Sequence, residues 1–132
     1  MPLQARWYVV ASALSLSTCA ALSKAPVPMT AQQYLRAEAD SKCLVVLLPG
    51  AGDTGASFEK AGLVDAMKQR GFAVDVVAAD ATYGYYAKGI LVERLGTDVV
   101  LPAQGRGYAH VWVMGTSMGG MVAQQFAAKY PE

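Results

Sequence analysis

The residues with the clearest chemical potential form the pattern Gly-x-Ser-x-Gly, at Gly115, Ser117 and Gly119. A serine hydroxyl can attack an acyl carbon and hold the acyl group covalently, provided that N–H groups stabilise the negative charge that develops on the carbonyl oxygen. Glycines two positions to either side of the serine leave room for the sharp turn that exposes such a hydroxyl. Because the chain has 13 glycines among 132 residues, the pattern by itself is a weak signal, and its meaning depends on the flanking elements.

The segments on both sides of Ser117 predict an abrupt turn from a strand into a helix. Val111 to Met114 is a short apolar run typical of a strand, and Met118 to Tyr130 has a helical pattern that Pro131 stops. A helix that begins there points the positive end of its dipole at the hydroxyl, and the Met118 N–H becomes a natural donor to a developing oxyanion. This context favours a nucleophile elbow over a glycine-rich turn with no catalytic role.

The chain upstream of this turn alternates between strand and helix patterns. Cys43 to Leu48 is a continuous apolar run that predicts a strand buried on both faces, and Ala73 to Ala79 predicts a second strand. Apolar residues at helical spacing predict helices from Ser57 to Arg70, where Gly71 closes the segment, and from Ile90 to Val100. Short right-handed crossovers wind such an order into a parallel sheet with helices on both faces. We therefore predict an α/β fold with three layers, αβα, around a parallel sheet.

The segment from Leu44 to Glu132 resembles the α/β-hydrolase superfamily, and in particular its bacterial esterase-like members. The resemblance depends on the Gly-x-Ser-x-Gly-Gly elbow and on the loop Pro49-Gly50-Ala51-Gly52-Asp53, which follows the first core strand. It implies a serine hydrolase that acts on carboxylic esters or related acyl groups, with no metal and no cofactor. The site residues that it implies are the nucleophile Ser117, the oxyanion donors Met118 and Ala51 with Gly52 as the fallback donor, and the elbow glycines Gly115, Gly119 and Gly120.

Four further residues lie where the resemblance places the active-site side of the sheet. Asp80 ends the second core strand, and an acidic residue at this point of the superfamily usually shapes a loop through hydrogen bonds rather than taking part in catalysis. Gly52, Tyr85 and Tyr86 are candidate residues of the substrate pocket. For the two tyrosines, packing within their own loop is an equally open interpretation.

The catalytic partners of the serine are the point at which the sequence departs from the superfamily. In α/β-hydrolases the catalytic acid and then the histidine follow the serine, each on a loop after a later strand. His110 is the only histidine and precedes the elbow strand, so we expect an exposed loop histidine at the opposite edge of the sheet from Ser117. Since a serine without a base is a poor nucleophile, we expect the chain to be catalytically incomplete.

Two interpretations of this departure stay open. The first is the N-terminal half of a longer hydrolase, a truncated α/β-hydrolase fold whose acid and histidine lie beyond residue 132 or on a partner chain. The second is a non-catalytic remnant or binding module, which pairs through the open edge of the elbow strand. In the first interpretation the partner is a small ester or acyl substrate.

The N-terminal segment has the features of a secretory signal. Residues 1–22 combine an early positive charge with an apolar, small-residue run that is too short to span a bilayer comfortably. Leu16-Ser17-Thr18-Cys19 resembles a bacterial lipobox with Cys19 as the lipidated residue, although Thr18 departs from the pattern. The alternative is ordinary cleavage near Ala20 or Ala21. Both alternatives predict a secreted or periplasmic protein, and lipidation would anchor it in the bacterial cell envelope.

The rest of the chain divides into a leader and one domain. Residues 23–42, with Pro26 and Pro28, predict an exposed leader followed by a short helix near Ala31 to Ala39. Residues 43–132 form the partial α/β-hydrolase domain, and a chain of this length has room for a single core.

The composition excludes two classes of partner. A formal net charge of +1 without a basic run gives no footprint for a nucleic acid. A single histidine and two cysteines give no cluster with the spacing of a zinc site, so we expect no metal. Cys43, in an apolar run, is expected to pack in the core rather than to react.

Overall fold

A computed structural model of the protein describes residues 24–34 and 41–131. The fold is α/β, with one four-stranded mixed sheet and helices packed against it. The sheet order is β1-β3-β2-β4. The strands are β1 (Ala31–Tyr34), β2 (Cys43–Leu48), β3 (Asp75–Ala79) and β4 (His110–Gly115). The predicted signal of residues 1–22, with Cys19, lies outside the described residues.

The three predicted core strands are present, and they run parallel. β2 occupies the centre, with β3 on one side and β4 on the other. Since parallel strands place their carboxyl ends at one edge, the residues that follow Leu48, Ala79 and Gly115 lie at the same edge of the sheet. This arrangement brings together the loops in which the sequence predicts the site.

The prediction of a purely parallel sheet is wrong, because β1 pairs antiparallel with β3. A short helix near Ala31 to Ala39 was the sequence expectation, but Ala31–Tyr34 is a strand, while residues 35–39 lie outside the described residues. The physical reason is tertiary: β1 supplies backbone partners to an edge of β3 that would otherwise be open, and Ala31 faces Ala79 across the pair. Local helix preference is weaker than this pairing.

The described helices are α1 (Ala56–Lys60), α2 (Leu63–Gln69), α3 (Tyr83–Ala87), α4 (Leu91–Leu95), α5 (Leu101–Gly105) and α6 (Met118–Lys129), with a π-helical segment (Gly96–Val100) between α4 and α5. The single helix predicted over residues 57–70 is divided into α1 and α2, because Gly62 between them has a left-handed φ of 76°. The predicted helix at residues 90–100 begins as expected, but continues through α5.

The alternating residues of β2 face two apolar clusters on opposite sides of the sheet. Leu44, Val46 and Leu48 belong to the cluster that contains Leu95 of α4 and Phe126 of α6. The intervening residues of β2, Val45 and Leu47, pack with Phe58 of α1 and with Val76 and Ala78 of β3. These five residues of β2 are all buried, as the continuous apolar run predicts. Cys43, at the start of the strand, is half-buried.

Candidate active site

Ser117 forms the junction between β4 and α6, in a backbone conformation that side chains rarely adopt. Its φ is 51° and its ψ is −122°, and no other non-glycine residue in the described part of the chain has a positive φ. Such a conformation costs about 1–3 kcal/mol and persists only where the surrounding structure imposes it. Strain of this kind is concentrated at active sites, so the backbone singles out the serine that the motif identifies.

The glycines of the elbow are required by close backbone packing. A Cβ at Gly115 would come closer than 3.0 Å to the backbone of Gly119 and Gly120. A Cβ at Gly119 would likewise come closer than 3.0 Å to the carbonyl oxygens of Leu48 and Pro49. The first turn of α6 is therefore pressed against both the end of β4 and the end of β2, and this packing imposes the turn at Ser117.

The Ser117 hydroxyl is free for chemistry. The residue is exposed, and although serine is a preferred helix N-cap, its side chain makes no capping hydrogen bond to α6. The N–H groups of Gly119, Gly120 and Met121 donate to the carbonyls of Thr116 and Ser117. Met118 opens the helix, so its N–H belongs to the first-turn donors that have no intrahelical acceptor. That N–H lies directly beside Ser117, at the place where the sequence predicts an oxyanion donor.

The loop after β2 forms a tight turn beside the elbow. The Asp53 N–H donates to the Gly50 carbonyl at 3.2 Å, and Gly52 has the positive φ, 84°, that position three of a type II turn requires. A Cβ at Gly50 would lie 3.5 Å from the Ser117 Cβ, so this turn begins in contact with the serine. Ala51 is exposed, and its N–H takes no part in the hydrogen bond that closes the turn.

Asp80 shapes the same loop through hydrogen bonds. Its Oδ1 accepts the Gly55 N–H at 2.9 Å, and its Oδ2 accepts the Thr30 hydroxyl at 2.9 Å. Both carboxylate oxygens are thus used to hold structure. This agrees with the loop-shaping role that the resemblance implies for Asp80.

Tyr85 does not line a substrate pocket, so one of the two interpretations that the sequence leaves open for it is wrong. It is fully buried in α3, within the cluster that includes Leu44, and its hydroxyl donates to the Pro26 carbonyl at 2.5 Å. Burial, and then the charges of Asp98 and Asp80, raise the pKa of Tyr85. Tyr85 is a core residue because apolar side chains surround it. Its position in a glycine-interrupted segment of the sequence gave no sign of this burial.

Tyr86 is partly buried and also packs against the core. Its hydroxyl is buried and has no hydrogen-bond partner among the described residues. Burial raises the pKa of Tyr86. Of the three predicted pocket residues, only Gly52 is exposed at the edge of the sheet that carries Ser117.

The only histidine is far from the serine. His110 is exposed and begins β4, so it lies at the opposite end of that strand from Gly115. Five residue-to-residue steps along the strand separate His110 from Gly115, which is roughly 16 Å. His110 cannot accept the Ser117 proton directly, as the sequence predicts, although it belongs to the strand rather than to a loop.

One cavity in the described part of the chain lies away from this chemistry. It measures about 320 Å³ and is bounded by the π-helical segment, by α5 and by the end of α6. Its lining residues are Gly96, Val100, Leu101, Gln104, Phe126, Lys129, Tyr130 and Pro131. Neither Ser117 nor Gly50 lines this cavity, so the candidate site is identified from backbone geometry.

Sequence reasoning missed the residues that fasten the segment before β1. Met29 is buried, and its N–H donates to Asp98 Oδ2 at 2.8 Å. Burial by itself raises the pKa of Asp98, but the hydrogen bonds from Arg94 and Met29 outweigh it and hold the pKa below its usual value. No local pattern could reveal these contacts, because they join residues 69 positions apart.

No family model matches the chain, and no curated protein and no solved structure matches it significantly. Within residues 24–34 and 41–131, no group of three or more histidine, cysteine or acidic residues is arranged to hold a metal ion. No helix in the same part of the chain is long and apolar enough to cross a membrane.

Proposed function

We propose that the protein is a serine hydrolase of the α/β-hydrolase type, which acts on carboxylic esters or related acyl substrates through Ser117. The observation that carries the proposal is the strained, exposed serine in a strand-to-helix turn, with its hydroxyl left unused by the helix. The two apolar clusters on opposite faces of the sheet support the three-layer arrangement of that superfamily.

The proposed reaction is an acyl transfer. The Ser117 oxygen attacks the carbonyl carbon of the substrate, and the oxyanion of the tetrahedral intermediate accepts hydrogen bonds from the N–H groups of Met118 and Ala51. Collapse of the intermediate expels the alcohol and leaves an acyl-serine ester, which water then hydrolyses to the carboxylic acid and the free hydroxyl. The base that takes the serine proton comes from outside the described residues, since His110 lies at the far end of β4.

A second candidate function is a non-catalytic binding module. The observation that favours it is β4, which forms an edge of the described sheet and exposes 63% of Trp112 and 55% of Met114. The backbone N–H and C=O groups of an open edge strand can pair with another polypeptide strand, and large exposed apolar side chains on that strand favour association. The same edge is also where a chain that supplied the missing base would pair.

A fluorophosphonate probe separates the two candidates. The protein is purified from its native source, together with any polypeptide that accompanies it, and is labelled beside Ser117→Ala produced in the same way. If the protein is a serine hydrolase, the probe should label Ser117 in the wild type and should not label the Ser117→Ala variant. Folded protein that is not labelled at Ser117, whether or not imidazole is added as an external base, would leave the binding module as the better account.

We propose that the protein is secreted or periplasmic, and that lipidation of Cys19 would anchor it in the bacterial cell envelope. This localisation depends on the signal-like residues 1–22 and on the lipobox-like sequence that ends at Cys19. Fractionation of source cells, followed by the intact mass of the mature protein, tests both the cleavage position and the acyl chains on Cys19.

A further inference from the structure

Asp80 joins two segments that are distant in sequence, at the edge of the sheet where the candidate site lies. Its carboxylate accepts the Gly55 N–H and the Thr30 hydroxyl, each at 2.9 Å, through different oxygens. Its own N–H donates to the Thr30 carbonyl at 2.9 Å. Asp80 therefore has two hydrogen bonds to Thr30 and one to Gly55.

The Gly55 end of this bridge is the far end of the loop that carries Ala51. A Cβ at Gly55 would come closer than 3.0 Å to the Ala78 carbonyl, so this residue is pressed directly onto β3. Between Ala51 and Gly55 the loop is braced internally, because the Ser57 hydroxyl donates to Asp53 Oδ1 at 3.2 Å. A loop held by the Gly50 turn at one end and by Gly55 at the other has little freedom to move Ala51.

The Thr30 end is equally fixed. Thr30 precedes β1, whose residue Ala31 pairs with Ala79, the residue before Asp80. On its other side, Met29 is buried and its N–H donates to Asp98. Five of the seven residues 24–30 are exposed, as the sequence predicts, yet these contacts attach the segment before β1 to the rest of the fold.

We propose that Asp80 is a positioning residue, which couples the segment before β1 to the tight turn that Gly50 and Asp53 close, and so holds the Ala51 N–H in place beside Ser117. The assignment rests on the proposed function, and it gives residues 24–30 a role in the frame of the active site. Since the oxygens of the side chain do the positioning, an acceptor is required at this place and a negative charge is not.

The test follows backbone amides in the full chain, so that it does not depend on turnover. Amide hydrogen exchange and ¹H–¹⁵N chemical shifts are compared for wild type, Asp80→Ala, Asp80→Asn and Thr30→Val. The control is Asp65→Ala, which removes an exposed carboxylate from α2. Circular dichroism establishes that each variant is folded.

We expect Asp80→Ala to speed exchange of the Gly55 amide about tenfold or more and to shift the Ala51 and Gly52 resonances. Asp80→Asn keeps an acceptor oxygen, so the exchange rate of the Gly55 amide should stay within about threefold of wild type. Thr30→Val should raise that exchange rate by about threefold. Unchanged Gly55 and Ala51 signals in folded Asp80→Ala would overturn the proposal. If that variant does not fold, unchanged signals in Thr30→Val overturn the coupling to the segment before β1.

Fluorophosphonate labelling of the native-source protein adds a chemical readout. Asp80→Ala should label Ser117 at least about tenfold more slowly, whereas Asp80→Asn should recover most of the rate, because one misplaced oxyanion donor weakens charge stabilisation. Equal losses in both variants would show that the charge matters and would contradict a positioning role. Absence of labelling in wild type would count against the hydrolase function alone, since the amide measurements still decide the role of Asp80.

Discussion

The carbonyl oxygen of Leu48 occupies the space that a side chain on Gly119 would need, closer than 3.0 Å to an added Cβ. The relationship ties the end of β2 to the first turn of α6 by direct backbone packing. Gly119→Ala should therefore destabilise the fold by about 3 kcal/mol, because neither backbone can yield without moving a strand. Urea unfolding measures the loss.

The control for this substitution is Gly105→Ala. Gly105 ends α5, has no neighbouring atom within 4 Å of an added Cβ, and does not have a positive φ. Alanine there should be neutral or stabilising by up to about 1 kcal/mol. Equal effects of the two substitutions would contradict the packing argument.

Strain at Ser117 predicts an unusual order of stability. Glycine tolerates a positive φ, whereas alanine retains the strain, so Ser117→Gly should be more stable than Ser117→Ala by about 1 kcal/mol. At an ordinary position alanine is the more stable of the two. Thermal unfolding of both variants under the same conditions distinguishes these orders.

Tyr85 and Tyr86 should respond oppositely to loss of their hydroxyl groups. Tyr85→Phe removes the bond to the Pro26 carbonyl and should cost about 1 kcal/mol, whereas Tyr86→Phe removes a buried hydroxyl that lacks a partner and should be neutral or stabilising by up to about 1 kcal/mol. Denaturant unfolding of the matched pair measures both. A larger loss in Tyr86→Phe would mean that its hydroxyl has a partner in solution.

Asp98 predicts an acid-dependent contribution to stability. Its folded pKa lies below the unfolded value of about 3.9, so the stabilisation is present above that pH and is lost as the pH falls through the folded pKa. Asp98→Asn should cost about 1–2 kcal/mol at pH 7, through weaker bonds to Arg94 and Met29. The difference from wild type in urea unfolding should shrink below about pH 4. A difference that does not vary with pH would contradict the assignment.

The exposed edge of β4 predicts self-association. Trp112→Lys should change the free energy of unfolding by less than about 0.5 kcal/mol, because the side chain is mostly in solvent, and should reduce association measured by light scattering. Val113→Lys is the matched control. Val113 is the next residue of the strand and packs against the core, so lysine there should destabilise the fold. If Trp112→Lys associates as much as the wild type does, the surface around Trp112 is not the site of self-association.

The sequence by itself determined the parallel part of the fold and the place of the strand-to-helix turn at Ser117. A short continuous apolar run such as Cys43 to Leu48 favours a strand buried on both faces, and the glycines around Ser117 permit a sharp turn between a strand and a helix. These are local properties, which depend on residue type and short spacing.

Only the tertiary structure decided the rest. The strand Ala31–Tyr34 forms because it can pair with the edge of β3. Tyr85 is buried beneath the segment before β1, where the Pro26 carbonyl accepts a hydrogen bond from its hydroxyl. The bridge from Thr30 to Asp80 spans 50 positions. No local pattern encodes such contacts, since their free energy arises only when the chain has already brought the partners together.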